Sequence, residues 1–338
     1  MEEENNLKFI FWEITAACNL RCQHCRGEKK ERIAGKELTL PEIKAVTEEI
    51  STFSHPVVVL TGGEPLLRED IFEIAWHVSS KKIEVWLATN GTLLNKEAVE
   101  KIKGAGISRV SISLDGKDSI THDSLRGFKG AFTQAVKGIA YLRSAGVPFQ
   151  INTTISRQNY DQIQDIIGLS QHWGAQSLHL FFLIPIGCAK DIFRQQEITA
   201  QEYEKVLNYV TEYSKKNSFY IRPICAPFYF GGFKKERVSS HAADKGCLAA
   251  RQMLFISSQG KVFPCGYLPL SAGDLREDSL ESIWRKGKIF VTLRKQKPKG
   301  KCASCRFQAD CGGGCRARAY ALSQDYLAED PLCIYSVA

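Results

Sequence analysis

The first two thirds of this 338-residue chain are expected to fold as an α/β unit around a parallel sheet. Short apolar runs alternate with longer helical stretches, the pattern of βαβ units. Runs such as 57–60, Val-Val-Val-Leu, are continuously apolar, which predicts a sheet covered on both faces. Pro and Gly fall at the starts and stops of the helical stretches.

Residues 8–14 read as the first strand, and a loop with three cysteines follows. Leu40-Pro41-Glu42 opens a helix to about residue 50. Strand 57–60 leads to a helix over 69–80, and strand 83–88 to a helix over 96–103 that stops at Gly104. Strand 110–114 leads to a helix over 132–144 stopped by Gly146. Strand 149–155, a helix over 160–172, strand 178–184 and a helix over 200–215 complete the series. Six strands with following helices fit a partial (β/α) barrel or an open doubly wound sheet. In both, function sits at the C-terminal strand ends. The pattern changes near residue 220. Residues 1–220 are read as one domain and 221–338 as a second, loop-rich one held together by metal, with eight of the twelve cysteines.

The hydrophobic share of 44% and charged share of 24% are ordinary for a soluble globular protein. The acidic, polar N-terminus is no secretory signal, and no apolar run is long enough to span a bilayer. A cytoplasmic protein with no membrane partner is expected. Net charge is +8, with Lys and Arg spread along the chain and no basic block. No nucleic-acid partner is expected; a solvated basic surface and a pocket for a small anionic substrate both fit. Twelve cysteines are many for a compartment that keeps thiols reduced, so they point to metal or catalysis.

Cys18, Cys22 and Cys25 follow the first strand with C-x3-C-x2-C spacing. Three thiolates on a short loop can hold three irons of a [4Fe–4S] cube and leave the fourth iron open for a ligand. Zinc with His24 as fourth ligand is the other reading, but adjacent His24 and Cys25 would strain a tetrahedral site.

This loop resembles the signature of the radical S-adenosylmethionine (SAM) superfamily. The resemblance implies a partial (β/α)6 TIM-like radical SAM barrel. It also implies that the open iron chelates SAM, and that the reduced cluster splits SAM into methionine and a 5′-deoxyadenosyl radical. A low-potential donor such as ferredoxin or flavodoxin is the implied reductant. Gly62-Gly63-Glu64, after strand two, is similar to the family motif that binds the SAM amino group. Glycines there are read as letting the backbone approach a ligand, and Glu64 as accepting from an ammonium. Ser113 and Asp115, at the end of strand four, are candidates for the ribose hydroxyls, with Asn90 and Asn152 as lesser candidates. Caps and turns are the alternative for each. Arg126 is a candidate carboxylate clamp or a surface ion pair.

Downstream, Cys247, Cys265, Cys302, Cys305, Cys311, Cys315 and Cys333 are spaced as in the SPASM extension of radical SAM proteins. That resemblance implies two auxiliary [4Fe–4S] clusters. Cys302, Cys305, Cys311 and Cys333 would serve one, and Cys247, Cys265 and Cys315 the other. Cys225 is the candidate fourth ligand, with an open iron facing substrate as the rival. Cys188 is read as an ordinary buried thiol.

Several segments are similar to tetrapyrrole-modifying radical SAM enzymes of the alternative haem and haem d1 pathways: Phe149-Gln-Ile-Asn-Thr-Thr, Cys225-Ala-Pro-Phe-Tyr, Pro264-Cys-Gly-Tyr-Leu-Pro, Gly273-Asp-Leu-Arg, and Cys315-Arg-Ala-Arg-Ala-Tyr with Asp325-Tyr-Leu-Ala-Glu-Asp-Pro. The resemblance implies oxidative decarboxylation of iron-coproporphyrin III propionates to vinyl groups, giving haem b. An auxiliary cluster is a sink for the surplus electron. One departure is Pro185-Ile-Gly-Cys-Ala, where the subgroup carries Pro-Thr-Gly-Arg-Gly. The aromatic, basic stretch 227–235 is read as a ring-binding surface or a core segment. A SPASM-type ribosomal peptide maturase is the rival. Such enzymes often carry a leader-binding domain ahead of the barrel, and only about seven residues precede strand one here. A non-catalytic iron–sulfur or zinc scaffold is a further rival.

Overall fold

The computed structural model describes residues 6–27, 36–233 and 246–335. Seven parallel strands appear in chain order: β1 (Phe9–Thr15), β2 (Val57–Gly62), β3 (Val85–Thr89), β4 (Ile107–Ser113), β5 (Phe149–Ile155), β6 (Ser177–Phe182) and β7 (Tyr220–Ile224). Each hydrogen-bonds its sequence neighbour, so the sheet runs β1 to β7 without a swap. This is the expected partial barrel, with β7 carrying the sheet past residue 220.

The C-terminal region adds more strand than its sequence suggests. β8 (Met253–Ile256) lies parallel to β1, and β9 (Lys261–Phe263) and β10 (Gly273–Asp274) continue antiparallel. The far segment thus covers the edge of β1 that the barrel leaves open, as an unpaired edge requires. Helices Leu280–Lys286, Lys288–Lys295 and Arg316–Ser323 also fall in the region read as loop-rich. Helices Ser119–Arg126 and Ala189–Gln196 have no counterpart in the sequence reading.

Expected helices form where caps permit. Leu40–Phe53 begins on a capping box in which Thr39 and Glu42 satisfy each other's backbone donors. Its Ile43, Val46 and Ile50 enter the core.

The two faces of the sheet differ in chemistry. The outer face carries Ile10, Trp12, Leu60, Leu87, Ile112, Ile151 and Leu180, packed against helix residues such as Ile74, Ile102, Ile139, Ile166 and Leu207. The inner face carries Glu13, Ser113, Gln150, Asn152, His179 and Arg222. Register aligns Ser113 with Asn152, Asn152 with His179, and His179 with Arg222. This corrects the expectation of apolar cover on both faces. β4 to β6 alternate because their inner side lines a polar interior.

Candidate active site

The three-cysteine loop is built from backbone contacts at the C-terminal end of β1. Glu37 accepts hydrogen bonds from the Thr15 hydroxyl at 2.9 Å and the Ala16 N–H at 2.7 Å. Gly63 N–H donates to the Thr15 carbonyl and Glu64 N–H to the Ala17 carbonyl, both at 2.8 Å. A Cβ on Gly63 would lie 2.2 Å from the Ala17 carbonyl oxygen, and one on Gly62 would lie 2.3 Å from that of Thr15. The glycines are therefore needed for the approach of the cysteine loop itself, which corrects their reading as a cradle for ligand alone. Gly63→Ala has to displace this loop. We expect SAM binding by the reconstituted protein to fall by at least about tenfold, as a misplaced site implies. Equilibrium dialysis with labelled SAM checks it; wild-type affinity would refute the account.

Other elements clamp the loop from the far side. Cys188 N–H donates to the Cys25 carbonyl at 2.9 Å, and the Cys188 thiol donates to the Gly27 carbonyl at 3.3 Å. A Cβ on Gly187 would sit 2.2 Å from the Arg26 carbonyl oxygen. The Gly187-Cys188 departure thus packs against the cluster loop. Cys188 is buried, as expected, but it also holds Cys25 in place.

The thiols are chemically primed for metal. Burial pushes the Cys22 thiol up to about 11; Arg126 opposes this, while Cys25, Asp115 and Cys18 push it further up. Three thiols near enough to repel one another as thiolates need a cation to hold them ionised. Such a donor set fits an iron–sulfur cluster.

Around Cys22 lies a charged network that the sequence reading missed. The Arg126 guanidinium donates to Cys22 Sγ at 3.8 Å and pairs with Asp115 Oδ2 at 2.7 Å. His24 Nε2 lies 3.1 Å from the same oxygen. Asp115 Oδ1 accepts from Thr154 N–H at 2.8 Å. Burial alone would raise the Asp115 carboxyl; Arg126 and then His24 outweigh it and hold it below the ordinary carboxylate range. Asp115 has no exposed surface, so its reading as a ribose ligand is corrected: it orients His24 and Arg126. Arg126 is no surface pair either, and the carboxylate it clamps is that of Asp115.

Glu64 is likewise fully buried. It accepts from Thr89 Oγ1 at 2.7 Å, Asn90 N–H at 2.8 Å and Leu66 N–H at 3.2 Å. Burial pushes its carboxyl up to about 7 against these bonds. Its reading as an acceptor for an ammonium is corrected: both its oxygens accept from the protein. Asn90 is also committed, donating to Asn19 at 2.9 Å and accepting from Thr92 at 2.9 Å. Ser113, the last residue of β4, sits beside Asn152 in the middle of β5, both half-buried on the inner face.

The C-terminal thiols separate into two sets. Cys225, with φ 61° just past β7, shares a thiol–thiol hydrogen bond with Cys315, and both feel Cys265 or Cys247 nearby. Cys315 is the acid of that pair, lowered by the bond from Cys225. Cys311 is pushed up to about 12 by burial, with Cys333 and Cys302 adding to it, and Cys302 feels Cys305. Among the described residues no three Cys, His, Asp or Glu side chains gather tightly enough to hold a single metal ion.

Two features bring these thiols together. Gly312, Gly313 and Gly314 have φ of 74°, 90° and 84°, so the chain between Cys311 and Cys315 follows a left-handed path that other residues resist. Arg318 and Asp330, both fully buried, pair at 2.9 Å. Arg318 also donates to the Cys225 carbonyl at 2.9 Å, and Asp330 accepts from Cys315 N–H at 2.7 Å. Both residues lie in the segments quoted for the tetrapyrrole resemblance, Arg318 alternating with Ala and Asp330 just before Pro331.

Comparison with known proteins matches residues 12–169 to the radical SAM superfamily and residues 247–307 to the SPASM iron–sulfur cluster-binding domain. A protein of Methanosarcina barkeri named AdoMet-dependent heme synthase is 43% identical, over 98% of this chain and 97% of its own. This chain is a radical SAM protein. A second AdoMet-dependent heme synthase, from Nitratidesulfovibrio vulgaris, is 41% identical over 97% of this chain and 92% of that one. Streptococcus suis SuiB bound to the precursor peptide SuiA superposes with a TM-score of 0.81, covering 98% of this chain and 76% of that one. At 18% identity that likeness shows the fold alone. This radical SAM protein uses SAM and [4Fe–4S] clusters, and its cysteine loop, inner face and far thiol sets belong to one enzyme.

Proposed function

We propose that this radical SAM enzyme oxidatively decarboxylates propionate side chains of iron-coproporphyrin III to vinyl groups, giving haem b. The observation that carries the proposal is 43% identity, along nearly the whole chain, to a protein named AdoMet-dependent heme synthase. The barrel's polar inner face, the basic net charge and the segments quoted above support it.

In this proposal Cys18, Cys22 and Cys25 hold the cluster that binds SAM, with Arg126 and Asp115 orienting the loop. Cys302, Cys305, Cys311 and Cys333 hold one auxiliary cluster, and Cys225, Cys247, Cys265 and Cys315 the other. With its cluster reduced, bound SAM supplies a radical able to abstract hydrogen. The hydrogen is taken from the propionate carbon next to the ring. Carbon dioxide then leaves, a vinyl group forms, and one electron passes to an acceptor for each propionate. The inner face orients the propionate and keeps water from the radical. A small acidic electron carrier such as ferredoxin or flavodoxin supplies the first electron; nucleic acid is no partner. Among the described residues no helix is long and apolar enough to cross a membrane.

Anaerobic incubation with SAM, a low-potential reductant and iron-coproporphyrin III tests the proposal. We expect a product whose mass has fallen by two COOH groups and two further hydrogen atoms, the ones abstracted. Unchanged iron-coproporphyrin III, with another tetrapyrrole or a peptide modified instead, would refute the substrate assignment.

A further inference from the structure

Within the stretch read as ring-binding, Phe228 and Tyr229 are core residues, and Lys234 and Lys235 lie outside the described residues. A fixed cation stands instead beside the cysteine loop. Cys22 carries a contact that holding a metal does not require. The Arg126 guanidinium donates to Cys22 Sγ at 3.8 Å through one terminal nitrogen and pairs with Asp115 Oδ2 at 2.7 Å through the other. Both residues are buried, Asp115 completely. A guanidinium keeps its proton in proteins. The structure thus fixes one positive and one negative charge beside a cluster ligand, where little water or salt screens them.

Local structure places both charges. Helix Ser119–Arg126 lies alongside the cysteine loop: Gln23 N–H donates to the Leu125 carbonyl and the Gln23 amide to the Ser124 carbonyl, both at 2.9 Å. The helix ends on Gly127 with φ 64°, and a Cβ there would lie 2.5 Å from the Arg21 carbonyl oxygen. Glycine at this left-handed cap lets the helix end close on the loop beside Cys22. Asp115 is held in turn. Its N–H donates to His122 Nδ1 at 3.0 Å, its carbonyl accepts from Asn159 Nδ2 at 2.8 Å, and its Oδ1 accepts from Thr154 N–H at 2.8 Å. Moving either charge away from Cys22 means breaking these contacts.

The potential of an iron–sulfur centre follows its net charge, the hydrogen bonds to its sulfurs and the charges around it. A cation donating to Cys22 Sγ favours the state that has gained an electron. A carboxylate behind that cation opposes it. We infer that Arg126 raises the potential at which the cluster of the cysteine loop takes up its one electron, and that Asp115 limits the rise. Without the guanidinium the enzyme needs a stronger donor. Without the carboxylate the reduced cluster is a weaker reductant toward SAM. The inference rests on reading Cys18, Cys22 and Cys25 as the cluster ligands.

Reconstituted full-length protein without SAM is poised at a series of potentials, and its reduced clusters are followed by electron paramagnetic resonance. Subtracting the spectrum of the Cys18→Ala, Cys22→Ala, Cys25→Ala variant isolates the signal of the loop. Arg126→Met should lower its midpoint by about 59 mV, a tenfold loss in the equilibrium for taking one electron. Arg126→Lys should fall between Arg126→Met and the wild type, since an ammonium keeps the charge and loses the fork. Asp115→Asn should raise the midpoint by a similar amount. The opposite signs are decisive, because loosening the loop moves the potential without regard to the charge removed. Shifts in one direction for Arg126→Met and Asp115→Asn, or wild-type midpoints in both, would overturn the inference. If Arg126→Met does not hold the loop cluster, Arg126→Lys replaces it, with the same signs expected and the same results overturning. A triple variant that loses no signal would refute the ligand assignment, and the inference with it.

Discussion

Replacing Cys18, Cys22 and Cys25 together by Ala is expected to abolish SAM cleavage and to leave the far thiol sets loaded. The intact protein should carry roughly twelve irons and the triple variant roughly eight, at about four per cube. The separation follows from position. The loop hangs from the end of β1 and is held by Gly62, Gly63 and Glu37. The far sets are held by the Gly312–Gly314 path and the Arg318–Asp330 pair. Neither scaffold uses the other's cysteines. Iron and sulfide analysis with assay of 5′-deoxyadenosine decides it. Persistent 5′-deoxyadenosine would remove the loop from the chemistry, and a wild type with roughly four irons would remove the two auxiliary clusters.

Asp330→Ala is expected to be the most damaging single change outside the cysteines. It leaves Arg318 charged and fully buried with no carboxylate, and it releases the Cys315 N–H. Breaking one partner of a buried pair costs about 3–5 kcal/mol. That is a large part of a typical folding free energy. The variant should unfold at markedly lower denaturant and lose iron from the set containing Cys225 and Cys315. Removing both charges, as Arg318→Met with Asp330→Ala, should recover part of the stability, because no uncompensated charge remains. Single and double variants of equal stability would show that the pair has no such role.

The barrel was legible because its signals are local. Each strand of β1 to β6 is a short β-rich run, and Gly104 and Gly146 lie at or just past helix ends. β7 was missed because Tyr220-Ile-Arg-Pro-Ile carries a charge and a proline at a sheet edge. The pairing of β8 with β1 spans more than two hundred residues, and nothing local announces it. The polar inner face is not legible from β2, whose continuous apolar run predicts apolar cover on both faces. His179 and Arg222 are the correction.

The site divides the same way. Cysteine spacing by itself carried the resemblance to radical SAM and SPASM proteins, because ligand spacing on a loop is set by chain geometry; the use of SAM and the grouping of the far thiols came with that resemblance. The sequence also marked Cys225 as a candidate member of its set. What only the tertiary structure decided is what the polar residues do. Glu64 and Asp115 look like ligand contacts in the sequence, yet both are sealed in the protein and turned to neighbours distant in the chain. A carboxylate's role depends on which donors burial leaves beside it, and that follows from packing of the whole barrel.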